Sequence, residues 1–310
     1  MRATLKQVAA ANPRVNAIVN LRPAEDLLQE AAMHDALLAQ GHHKGWLHGI
    51  PQAIKDIAPV QGLPNTQGSP LLRNFIPKED GLMVQRMKAA GCIVIGKTNT
   101  PEFGLGSHTF NQVFGVTRNA YDPSKSAGGS SGGAAVALAT RMLSVADGSD
   151  FKGSLRNPAA WNNVFGLRPS QGRVPMWPVS DTWIAQLGTE GPMARDVRSL
   201  AMLLQTQSGY SARAPISIAN NEYFMPENSQ FSLKNCRIGD LSDLQGHLAI
   251  EPGVLTVCET GLKRLSDGGA VVEPAKLPMA PEQVWQAWLV WRQALVGSRI
   301  APFMMQSPLT

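Results

Sequence analysis

Ten residues, Ser124 to Gly133, read SKSAGGSSGG, and eight of them are Gly or Ser. Such a tract ordinarily makes a flexible linker, because its backbone has many conformations to lose and few side chains to pack. Here it runs straight into Ala134 to Leu143, AAVALATRML, a strong helix former. Ser144-Val145-Ala146 and a second cluster, GSDFKGSLRNP, follow at once. A linker is seldom clamped between ordered apolar segments. The tract therefore reads as a built loop, and a fold for this chain must bring two such loops to some common use.

The surrounding pattern points to an α/β layered fold. Pro23 to Gln40 predicts a helix, with Leu27, Leu28, Ala31, Ala32 and Leu38 at helical spacing and Gly41 as a stop. Leu82 to Ala90 predicts another, ending at Gly91. The run Cys92-Ile93-Val94-Ile95 then has the continuous apolar character of a buried parallel strand. Val254, Leu255, Cys258, Leu262 and Leu265 mark a later helix closed by Gly268-Gly269, with a strand expected at Ala270-Val271-Val272. Trp285 to Met305 predicts a last helix, whose Trp285, Trp288 and Trp291 are expected in the core. Helices alternating with short apolar strands define the class.

Composition narrows the function classes. Hydrophobic residues make up 44% and charged residues 16% of the 310, which excludes disorder. The net charge, 28 − 23 = +5, is spread singly or in pairs, as on a solvated surface rather than a nucleic-acid footprint. Cys92, Cys236 and Cys258 form no CxxC, so neither a disulfide framework nor a metal knuckle is indicated, and a reducing cytoplasm is the expected location. Asn12 and Pro13 interrupt any signal-peptide core, and no apolar run approaches the roughly 20 residues of a membrane helix. His42-His43 has no third ligand spaced to join it, and no metal or cofactor is expected.

Three chemistries suit glycine loops that carry serine. Phosphate cradling lacks support, because GGSSGGAA has no Lys-Ser/Thr ending and no GxGxxG follows a strand. Gly129 to Gly133 formally matches GxSxG around Ser131. That elbow needs a preceding strand, whereas Tyr121-Asp122-Pro123-Ser124 is a turn, and the only later histidine, His247, has its nearest upstream acid, Asp243, four residues away. Serine paired with lysine is the third. A lysine serves as base only when neutral, which burial favours, and Lys55 ends the short apolar segment Gly49 to Asp56. A lone Lys beside an Asp is, however, more often a surface ion pair.

The strings LHGIPQAIKD, GKTNTPEFG, GGSSGGAAVALA and GSDFKGSLRNPAAWNNVFGLRPSQGRVP occur in this order. Together they resemble the amidase signature enzymes, over essentially the whole chain. The resemblance implies a three-layer α/β/α sandwich around a mixed, mostly parallel sheet. It implies one domain over residues 1–310, with N- and C-terminal parts of the family fold missing. It implies amide hydrolysis through an acyl-enzyme, with Lys55 as base, Ser130 as a bridging serine on a cis peptide, and Ser154, 24 residues further on, as nucleophile. The implied oxyanion hole is the backbone N–H groups of Phe151, Lys152, Gly153 and Ser154, with Ser131, Asp150 and Arg156 in support. Where the family usually has two glycines before the nucleophile, this chain has Lys152-Gly153. The expected partner is a small-molecule amide; no direct nucleic-acid partner and no membrane are expected, and a homodimer is allowed. Two alternatives stand beside it: a glutaminase component of an amidotransferase that needs a partner chain, and an inactive truncated remnant.

Overall fold

Short strands buried on both faces build the architecture of this chain, seen in a computed structural model that describes residues 1–179, 181–183, 187–219 and 232–306. The chain divides into two compact units, Met1–Met225 and Pro226–Thr310.

The first unit begins with α1 (Arg2–Val15), β1 (Ile18–Val19), α2 (Ala24–Ala39), β2 (Pro51–Lys55), α3 (Leu82–Ala89) and β3 (Ile93–Thr98). A small hairpin, β4 (Phe110–Asn111) and β5 (Gly115–Val116), leads to α4 (Gly132–Ala139), β6 (Val145–Asp150), α5 (Arg156–Trp161), β7 (Phe165–Gly166), β8 (Thr189–Ala194) and α6 (Val197–Gln207). Hydrogen bonding gives two three-stranded pieces, β1-β3-β2 and β6-β8-β7, and β2 lies beside β6. Ala53, Ile93, Ile95, Ala146 and Met193 pack on one face with α1, α2, α4 and α5. Ile54, Val94, Val145 and Ala194 pack on the other with α3 and α6. The period of two in these strands produces the three layers.

The sheet is mixed, with fewer parallel pairs than the resemblance implies. Among the described residues of this unit only β2–β3 runs parallel, while β1–β3, β4–β5, β6–β8 and β7–β8 are antiparallel. A parallel pair needs a crossover, which α3 supplies between β2 and β3. Between β6 and β8 the described residues hold α5 and β7, and β8 returns antiparallel to β6.

The glycine-serine tract is no linker: residues 127–133 are buried. The helix after it starts two residues earlier than the composition suggests, at Gly132, and ends at Ala139, because Arg141 takes a left-handed φ of 60° and turns the chain away. Every residue from Gly132 to Leu138 is buried, as expected of a helix apolar all round. Its small side chains let it lie close to the sheet, which delivers its N-terminal serines to the strand ends.

The second unit holds β9 (Arg237–Asp240), α7 (Val254–Asp267), β10 (Val271–Pro274) and α8 (Pro281–Gln306), with β9 and β10 parallel. The last helix forms, but its tryptophans do not make a core: Trp285 and Trp291 are each 47% exposed and Trp288 is half-buried. Two strands and two helices offer too little surface to enclose them, and no residue of α7 is buried. Among the described residues no helix is long and apolar enough to cross a membrane.

Candidate active site

Lys55 and Asp56 sit side by side at the end of β2, yet they do not pair on the surface. Consecutive strand residues face opposite ways, and both side chains are buried. Lys55 turns toward the start of α4. Its Nζ donates to Ser130 Oγ at 2.7 Å, to Ser131 Oγ at 2.9 Å, and to Ser149 Oγ at 2.9 Å, with the Ser149 carbonyl at 3.4 Å. Hydroxyls both donate and accept, so this cage suits a charged or a neutral amine. The peptide before Ser130 is cis. Gly148 makes room for the cluster: a Cβ there would stand 2.8 Å from Ser131 Oγ.

Ser154 lies on the loop that follows β6, half-buried, and its carbonyl accepts the Ser131 N–H at 3.1 Å. No hydrogen bond among the described residues joins Ser154 Oγ to Ser130 Oγ. The structure thus brings Lys55, Ser130, Ser131 and Ser149 into one hydrogen-bonded group and anchors the Ser154 backbone beside it.

Asp150 organises that loop. Its carboxylate accepts the N–H of Gly153 at 2.7 Å and of Leu155 at 3.1 Å, and it pairs with Arg156 at 3.0 Å. Arg168 approaches to 3.5 Å. Burial alone would raise Asp150, but the Arg156 guanidinium and the two N–H groups outweigh it and hold the carboxyl below its usual range. Gly153 has φ of 99°, and a Cβ there would meet Asn157 Oδ1 at 2.8 Å, so the position requires glycine. Its N–H is taken by Asp150, which removes it from the four donors the resemblance implied. Lys152 is exposed and Phe151 half-buried.

The elbow reading of Ser131 finds no strand leading into it. Asp243 and His247 fall in the second unit, where His247 Nδ1 pairs with Glu282 at 3.0 Å. Among the described residues no cluster of three or more His, Cys, Asp or Glu could hold a metal ion.

A set of buried and half-buried ionisable groups escaped the sequence reading. On the α3/α6 side, Lys97 donates to the Ala58 carbonyl at 2.6 Å and Asn65 Oδ1 at 2.9 Å, with Asp56 Oδ1 3.9 Å away. Burial lowers Lys97 to about 8, against the pull of Asp56, and burial raises Asp56. Asp147, fully buried, is raised to about 6 by desolvation. Glu190, the cross-strand partner of Ser149, is raised to about 8 by desolvation and by the charge of Asp147. An Asp after Val145-Ala146, in a strand buried on both faces, was the available signal.

Glu190 therefore holds a proton in the folded chain that the unfolded chain releases above 4.5. Its contribution to stability falls as pH rises from there to about 8. At about 1.4 kcal/mol per pKa unit, this amounts to a few kcal/mol. Glu190→Gln, neutral throughout, is expected to lose less melting temperature between pH 5 and pH 8 than the parent chain. Parallel melting slopes for the two would contradict the assignment.

The sequence pattern of the amidase family matches residues 1–300. The chain belongs to the amidase signature family. It is 37% identical to a glutamyl-tRNA(Gln) amidotransferase subunit from Thermus thermophilus, over 97% of this chain and 61% of that protein. It is 33% identical to the corresponding protein of Bdellovibrio bacteriovorus, over 92% of this chain and 58% of that one. Among solved structures, a bacterial aryl acylamidase of the amidase signature family superposes with a TM-score of 0.90 at 28% identity, over 99% of this chain and 63% of that one. The chain spans about three fifths of the length of these relatives.

Proposed function

We propose that the chain cleaves a carboxamide through an acyl-enzyme formed on Ser154. The observation that carries this reading is the buried Lys55 amine 2.7 Å from Ser130 Oγ. In the proposed relay, neutral Lys55 takes the Ser130 proton as Ser130 takes the proton of Ser154, so the base acts on a nucleophile it does not touch. Ser154 Oγ adds to the amide carbon. The C–N bond then breaks, and the leaving nitrogen receives the proton back through Ser130. Water, deprotonated by the same relay, releases the acid.

The oxyanion is assigned to the loop N–H groups of Phe151, Lys152 and Ser154, since Asp150 holds that of Gly153. One such donor is typically worth roughly 3–4 kcal/mol in the transition state. Asp150 and Arg156 act by fixing the loop, and Ser131 by completing the cage around Lys55.

A second reading, glutamine as the amide in a complex with a partner chain, is favoured by the identity to the amidotransferase proteins. Release of ammonia or amine from aliphatic amides, aryl amides and glutamine, measured for the purified chain and for Ser154→Ala, separates the two. Turnover of simple amides by the chain alone supports the first reading. Turnover of glutamine only with a partner added supports the second, and Ser154-independent turnover contradicts both.

A further inference from the structure

The main chain of Lys55 is held as deliberately as its amine. Successive N–H groups along a strand point to opposite edges. The Asp56 N–H goes to the Thr98 carbonyl at 3.1 Å, on the β3 side. The Lys55 N–H therefore faces β6. There, among the described residues, no backbone ladder joins the two strands, and β2 and β6 end their separate three-stranded pieces. What crosses the seam is a side chain: the Asp147 carboxyl accepts the Lys55 N–H with both oxygens, at 3.1 and 3.3 Å.

The two residues work from opposite faces. Asp147 shares the face of Val145, which packs with α3 and α6. The Lys55 side chain shares the face of Ala53, on the α4 side, where Ser130 and Ser131 wait. A bond to the main chain from behind thus sets the root of the side chain in front. Asp147 is fully buried, so bulk water does not compete for the Lys55 N–H.

We propose that Asp147 is a positioning residue, which clamps β2 to β6 at Lys55 and so fixes the reach of Nζ to Ser130. The proposal rests on the reading of Lys55 as the base. It assigns Asp147 no contact with substrate. Losing the acceptor would free the strand end at the one residue whose placement the relay needs, and an error of about 1 Å in such a group can cost about 10²-fold in rate.

Asp147→Leu and Asp147→Asn distinguish this from a purely structural role. Asn keeps an acceptor oxygen in place and is expected to hold kcat within about threefold of the parent, whereas Leu, folded by its melting curve, is expected to lower kcat by about 10²-fold with KM little changed. If the Leu variant does not fold, Asp147→Ser, too short to reach the N–H, carries the same expectation. A folded Leu or Ser variant with the parent kcat would overturn the proposal, as would an Asn variant as damaged as Leu. Lys55→Ala is run alongside. If it is inactive while the Leu variant keeps its kcat, the clamp alone fails; if it keeps its activity, the base reading fails and the clamp with it.

Discussion

Ser154→Ala is expected to lower amide turnover by about 10⁶-fold, to the level that binding and the loop donors alone sustain. The size of the effect follows from the chemistry. An amide carbonyl is a poor electrophile, and the acyl-enzyme route exists only while a hydroxyl is present to form it. The fold should not register the change. Ser154 is half-buried, its structural bond to Ser131 is made by its carbonyl, and Asp150 holds the loop through Gly153 and Leu155. Steady-state rates on an amide that the parent chain turns over, with melting curves of both proteins, check the claim. Turnover within tenfold of the parent would remove Ser154 from the role.

Lys55→Ala is expected to cost between about 10² and 10⁴-fold, the usual contribution of a positioned general base. The loss should fall in kcat, since Nζ is buried and bonds to Ser130, Ser131 and Ser149. Lys55→Arg should not restore activity. A guanidinium cannot give up its proton in a protein, and its planar fork does not fit a cage of three hydroxyls. Ser131 and Ser149 bond to each other through Oγ and backbone at 3.3 Å, so the cage retains internal partners when the amine is removed. An Arg variant as fast as the parent would show that Lys55 acts as a fixed charge, not as a base.

Much of the scaffold is legible in the sequence because it depends on local pattern. The helix of residues 24–39 and the strand of residues 93–98 announce themselves by period and by apolar run. The burial of the glycine-serine tract follows from what flanks it. Lys55 and Ser130 are another matter: 75 residues separate them, and no spacing rule places a lysine on a serine at that distance. Only the resemblance named them. Asp147 and Glu190 stay hidden for the same reason. Their meaning lies in partners on other strands, Lys55 at 92 residues and Ser149 across the ladder. The tryptophans of the last helix depart from expectation because helical spacing tells which residues share a face, not whether anything covers it. Gly153 departs from it because its N–H serves a neighbouring carboxylate, a competition that residue type does not reveal.

Ser154, and not the Ser131 that fits an elbow pattern, is proposed as the activated hydroxyl. Treatment with a fluorophosphonate, followed by peptide mass mapping, tests it most directly. A single adduct on Ser154 is expected, lost in Ser154→Ala and slowed in Lys55→Ala. An adduct on Ser131, or labelling of Ser154 that proceeds at the parent rate without Lys55, would contradict it.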